Sequence, residues 1–144
     1  GMKKAKGEII KIMCQDDWFA HTHSLQDIVD TFTANWMIVG SHDNIHPTWN
    51  DEVPYGKNTL GGLSSIVMRN QDLVFFDEEF RWMIDVEWYA RAFTKYGPPQ
   101  ILDSVIVNIG LHPDQTTNSL THEERLAEFN VAKQRYEKSF TNRS

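Results

Sequence analysis

The chain has 144 residues, of which 40% are apolar and 24% charged, the usage of one ordinary globular domain. Lys and Arg number 14 against 20 Asp and Glu, a formal charge of −6, so the basic footprint of a nucleic-acid binder is absent. One cysteine, Cys14, excludes an internal disulfide framework and a cysteine-only metal cage, and it points to a reducing, cytoplasmic compartment.

No window approaches the roughly 18 uninterrupted apolar residues of a membrane-spanning helix, and Gly1-Met2-Lys3-Lys4 opens no apolar stretch of signal-peptide type. Residues 8–14 read as a short buried strand on Ile9, Ile10, Ile12 and Met13, running straight into Gln15-Asp16-Asp17-Trp18. Residues 23–35 predict a helix with Ser24 as N-cap and Leu25, Ile28, Val29 and Phe32 on one apolar face. Residues 36–40 form a second short strand. Periodicity is then lost over 41–62, where Pro47, Pro54, Gly56, Gly61 and Gly62 mark turns; a loop this long tends to be functional or disordered. Residues 65–69 give a third strand and 77–80 a turn. The helix over 84–96 carries Trp88, Tyr89, Ala92, Phe93 and Tyr96 on one face and stops at Gly97-Pro98-Pro99. Residues 101–111 alternate as a strand through Val105, Val107 and Ile109, and 112–119 are polar. Thr121-x-x-Glu124 is a capping box for a last helix, with an inward stripe of Leu126, Phe129, Lys133, Tyr136 and Phe140. Strands alternating with helices predict a single α/β layered domain over 1–144.

The Asp16-Asp17 pair lies at the carboxyl end of a strand, where open α/β sheets bind ligands. Adjacent carboxylates repel unless a cation or water neutralises them, and oxygen ligands suit Mg²⁺ or Mn²⁺ on a diphosphate. A solvated turn explains the pair equally well. Asp85 precedes Trp88 and Tyr89 by one turn and shares their inward face, where a carboxyl pKa rises towards the range of a general base. An acid favoured by the helix dipole is the plainer account. Glu87 stands four residues before Arg91, the spacing of a helical ion pair. His112, after the last strand, is a metal ligand, a hydrogen-bond donor or simply a surface histidine. His21-x-His23 and His42-Asp43-x-x-His46 have metal-like spacings but no third ligand. Trp18, Trp49, Tyr55 and Trp82 suit either stacking on sugar rings or ordinary packing. Gly61-Gly62 allows a ligand to approach the backbone, or merely turns the chain.

Four segments together resemble a known family. Ala5-Lys6-Gly7-Glu8-Ile9-Ile10-Lys11-Ile12-Met13-Cys14-Gln15-Asp16-Asp17 resembles the stretch of family 2 glycosyltransferases (GT-A fold) that ends in their Asp-x-Asp-type metal motif. Gly62-Leu63-Ser64-Ser65-Ile66-Val67-Met68-Arg69 is similar to their acceptor-side strand. Phe76-Asp77-Glu78-Glu79-Phe80, followed by Asp85-x-Glu87-Trp88-x-x-Arg91, resembles the helix that carries their catalytic acid residue. Ile109-Gly110-Leu111-His112-x-x-Gln115-x-Thr117 is similar to their closing strand and loop. The four occur in the family's order over residues 5–120, although no one of them is specific alone.

The resemblance implies a partial GT-A-type layered sheet with helices on its faces and the N-terminal nucleotide-binding strands absent. It implies inverting transfer of a sugar from a nucleotide-sugar donor to an acceptor hydroxyl. Asp17, with Asp16 and His112, would hold Mn²⁺ or Mg²⁺, and Asp85 would take the acceptor proton. Gln15, Trp18, Gly61, Gly62, Arg69 and Gln115 would contact substrate. Cys14 stands where many members carry the first acid, which implies a thinner metal shell. The family's N-terminal portion would precede Ala5. Three expectations follow: a second polypeptide supplies it, the chain forms a homodimer over its exposed sheet edge, or the chain is a remnant without catalysis. Two other readings are a non-catalytic carbohydrate-binding or assembly module, and a small metal-dependent hydrolase on His42, Asp43 and His46.

Overall fold

The computed structural model describes residues 1–111 and 119–141, with side chains through Ser139. Among the described residues five strands and three α-helices form a mixed α/β protein: β1 (Ile9–Lys11), β2 (Trp18–Phe19), α1 (Ser24–Thr31), β3 (Trp36–Ser41), β4 (Ile66–Arg69), α2 (Ile84–Tyr96), β5 (Gln100–Asn108) and α3 (His122–Thr141). The strands make one sheet in the order β1-β4-β3-β5-β2. β3 and β5 run parallel, and the other neighbours are antiparallel. The chain divides into two compact units. The first, residues 1–49, 59–73 and 98–111, contains the whole sheet and α1. The second, residues 50–58, 74–97 and the described part of 112–144, contains α2 and α3. No described helix is long and apolar enough to cross a membrane.

In the first unit β3 is buried at all six positions, as expected of a central strand covered on both faces. Ile28 of α1 and Phe32, just past its end, pack on Met37, Val39, Val67, Ile106 and Val107. Ser24 is not the N-cap; His23 holds that position. Ser24 is instead the first helical residue, and its buried Oγ donates to the Ile106 carbonyl at 2.8 Å. This bond turns the 24/28 edge of α1 towards the sheet. Leu25 and Val29, one position further round at 100° per residue, therefore face outwards at 53% and 57% exposure, contrary to the predicted face.

Strand boundaries differ from expectation for local reasons. The sheet pairing of β1 covers only Ile9–Lys11. A 3₁₀ turn, Leu63–Ser65, delays β4 to Ile66, and a second, Val53–Tyr55, breaks the long loop and closes on Gly56 at φ 95°. The register of β5 on β3 shifts on either side of Gly40, so that Ile106 and Val107 are both buried and the predicted alternation fails. Gly40 is required there, because a Cβ would lie 2.5 Å from the Ser104 carbonyl oxygen. β2, two residues paired with Asn108 and Val107, has no sequence pattern of its own.

In the second unit α2 spans the predicted residues and ends at Gly97, whose φ of 83° favours glycine. Val86, Trp88, Tyr89, Ala90 and Ala92 are buried on it, and Trp88 Nε1 donates to the Val74 carbonyl at 2.8 Å. The capping box of α3 forms as predicted: Thr121 N–H donates to Glu124 Oε2 at 2.7 Å, and Glu124 N–H to Thr121 Oγ1 at 3.2 Å. Its inner stripe is Phe129, Ala132 and Tyr136. Leu126 and Lys133 point outwards, so the predicted stripe is rotated, and the Phe140 side chain lies outside the described residues.

Candidate functional site

Asp17 is the meeting point of three segments of the first unit. Ser64 Oγ donates to its Oδ2, and the Gly110 N–H donates to its Oδ1 at 3.0 Å. Ser64 Oγ also accepts the Cys14 N–H at 2.8 Å. Gly110 packs so tightly on the acid loop that a Cβ there would stand 2.2 Å from the Asp16 carbonyl oxygen. The loop between β1 and β2, the turn before β4 and the exit from β5 are thus tied through one carboxylate. Below it, Lys11 Nζ donates to the carbonyls of Ile12 and Ser64. Burial pulls the Lys11 ammonium down to about 8, while the nearby Cys14 and Asp17 act in the opposite direction.

Around this point Gln15 and Asp16 are exposed, and the Trp18 indole is 55% exposed on β2. Gly61, at φ 110°, is fixed as glycine by conformation and by Ser65 Oγ, which would sit 3.0 Å from an added Cβ; Gly62 follows it into the turn before β4. Arg69 serves α1: its guanidinium donates to the Ala34 and Phe32 carbonyls at 3.3 and 3.5 Å and lies 4.6 Å over the Phe32 ring. His112 and Gln115 lie outside the described residues.

Asp85 belongs to the second unit. It stands in the first turn of α2, half-buried, with Oδ1 accepting its neighbour's Val86 N–H at 2.8 Å and Oδ2 accepting from Asn58 Nδ2 at 3.2 Å. Burial disfavours the charged form and raises its pKa to about 6, against the pull of the backbone N–H groups. Such a carboxylate is largely ionised at pH 7 and has a proton affinity close to the operating pH. Glu87 forms the expected pair with Arg91, bidentate at 2.6 and 2.8 Å, and is buried at 4% exposure. A groove of about 680 Å³ in the same unit, lined by Phe75, Phe76, Glu87, Arg91, Arg135 and Tyr136 among others, contains none of the expected site residues.

Asp16 and Asp17 supply two adjacent carboxylates, and among the described residues no group of three or more His, Cys, Asp and Glu side chains comes together. Mg²⁺ or Mn²⁺ on two carboxylates would need waters and phosphate oxygens as its remaining ligands. His42 Nδ1 accepts the Ile109 N–H at 3.2 Å, and His46 pairs with Asp103 at 2.6 Å. Ser64, Lys11 and Asn58 carried no sequence signal; Ser64 is recognisable only from its bond to Asp17, Asn58 from its bond to Asp85, and Lys11 from its bonds to the Ile12 and Ser64 carbonyls. Searches of protein-family models, curated proteins and solved structures return no match to the chain.

Proposed function

We propose that this chain carries the acceptor-side part of a family 2, GT-A-type glycosyltransferase and takes part in inverting transfer from a nucleotide-sugar to an acceptor hydroxyl. One observation carries the reading. Of the four segments that resemble the family, three meet at the Asp17 carboxylate, although they are far apart in the chain. Asp16 and Asp17 would hold the divalent cation, which supplies neutralisation of the charge gathering on the leaving diphosphate. Asp85 takes the proton of the acceptor hydroxyl, a step worth about 10²–10⁴-fold, and its pKa of about 6 suits that role at neutral pH.

One observation favours a non-catalytic module instead: both Asp17 oxygens already accept hydrogen bonds from the protein. Amide NMR with Mn²⁺ separates the two readings. Under the transferase reading Mn²⁺ broadens the Asp16, Asp17 and Gly110 amides selectively, UDP or GDP deepens the effect, and Asp16→Ala removes it. Diffuse broadening over the acidic surface, indifferent to nucleotide, overturns it. Asp85→Asn leaves the broadening intact and abolishes release of UDP or GDP from the corresponding nucleotide-sugar in the presence of acceptor; unchanged release removes Asp85 from the mechanism.

A further inference from the structure

The start of α2 lacks a cap of its own. Met83 occupies the N-cap position and makes no side-chain hydrogen bond there. Yet the chain entering the helix is held by one carboxylate that comes from α3, far along the sequence. Glu128 Oε1 accepts the Arg81 N–H at 2.5 Å, and Oε2 accepts the Trp82 and Met83 N–H groups at 2.7 and 2.9 Å. Three consecutive backbone donors on one acid is an anion cradle filled from within the protein. The packing beneath it is apolar: Phe80, Met83, Val86 and Ala132 form the buried cluster, with Trp82, Ile84 and Phe129 against it.

Asp85 stands two residues after the last of these donors. The partners of its carboxyl are uncharged: Asn58 Nδ2 and the backbone N–H groups of Val86 and of Asp85 itself. Its surroundings thus depend on whether the first turn of α2 stays docked. We propose that Glu128 is the positioning residue for Asp85: by tying residues 81–83 to α3 it holds the helix start that presents the Asp85 carboxyl. The assignment rests on the reading of Asp85 as the base, but the geometry itself does not.

Without Glu128 three peptide N–H groups lose their acceptor, the turn opens to water, and the uncompensated helix N-terminus favours the Asp85 anion. Each effect has the same sign. The test is the ¹³C titration of the Asp85 carboxyl in the intact chain without substrate, for Glu128→Ala, Glu128→Gln and Lys133→Gly. The last loosens α3 at an exposed position five residues beyond Glu128. The expected result is a midpoint near 6 in the parent chain and the Lys133 variant, lowered by about one unit or more towards the ordinary carboxyl range in both Glu128 variants. A midpoint unmoved in the folded Glu128 variants overturns the proposal, and so does an equal shift in Lys133→Gly, which would make the effect one of general loosening. Should Glu128→Ala not fold, the isosteric Gln variant decides. Because no turnover is read, this outcome is independent of the transferase assignment, which the Asp85→Asn release assay tests alone.

Discussion

In the role proposed for Asp85, chemistry and stability oppose each other. Its folded-state pKa of about 6 lies above the ordinary aspartate value of 3.8. Well below pH 3.8 the carboxyl is protonated in folded and unfolded chains alike and costs nothing. As pH rises from about 4 to 6 the unfolded chain releases the proton first, so folding stability falls across that window and stays lower at pH 7. Asp85→Asn removes the penalty. Urea unfolding is expected to show the variant more stable at pH 7 by about 1–3 kcal/mol, allowing for partial solvent contact, with a flatter profile between pH 4 and 6. A variant less stable than the parent at pH 7 would mean that the lost anion was favourably held. Lys11 gives the complementary window: with its pKa lowered to about 8, its contribution to stability improves as pH rises from 8 towards 10.5.

At the scale of elements, local signals could be read in the sequence and remote ones could not. The capping box of α3 joins residues three apart and was legible; Thr121→Ala is expected to cost about 1 kcal/mol in thermal or urea unfolding, and no loss would mean the box is redundant. The extent of α2 was legible because its apolar face and Gly97 stop are both local. The inner face of α1 was not, because the bond from Ser24 to the distant Ile106 carbonyl sets its rotation. β2 is too short for any periodicity, and the break in β5 alternation follows from its register on Gly40. The acid pair and Asp85 were visible as residue types in suggestive places. Ser64 and Asn58, which hold them, are ordinary polar residues in turns, and Glu128 looks like any surface acid of a helix until its three backbone partners are seen.

At the scale of the molecule the sheet is strongly non-local. β3 pairs with β4 and β5, β1 with β4, and β2 with β5, so every strand neighbour comes from well along the chain. The first unit is assembled from three separate stretches, and its Asp17 tie joins residues 93 positions apart. Loops of this span must close before their contacts form. Stopped-flow refolding is expected to relax over about milliseconds to seconds, as in other topologies rich in distant pairings. Completion within microseconds would contradict this sheet order.

The chain also contains its own optical gauge. It has five tryptophans; Trp36 and Trp88 are sealed in the interior, whereas Trp18 projects into water directly beside Asp17. A hydrated indole emits further to the red than an enclosed one and is open to collisional quenchers. A paramagnetic ion settling on the neighbouring acids would therefore dim the long-wavelength edge of the emission and spare the blue, so occupancy is readable in unlabelled protein with a fluorimeter.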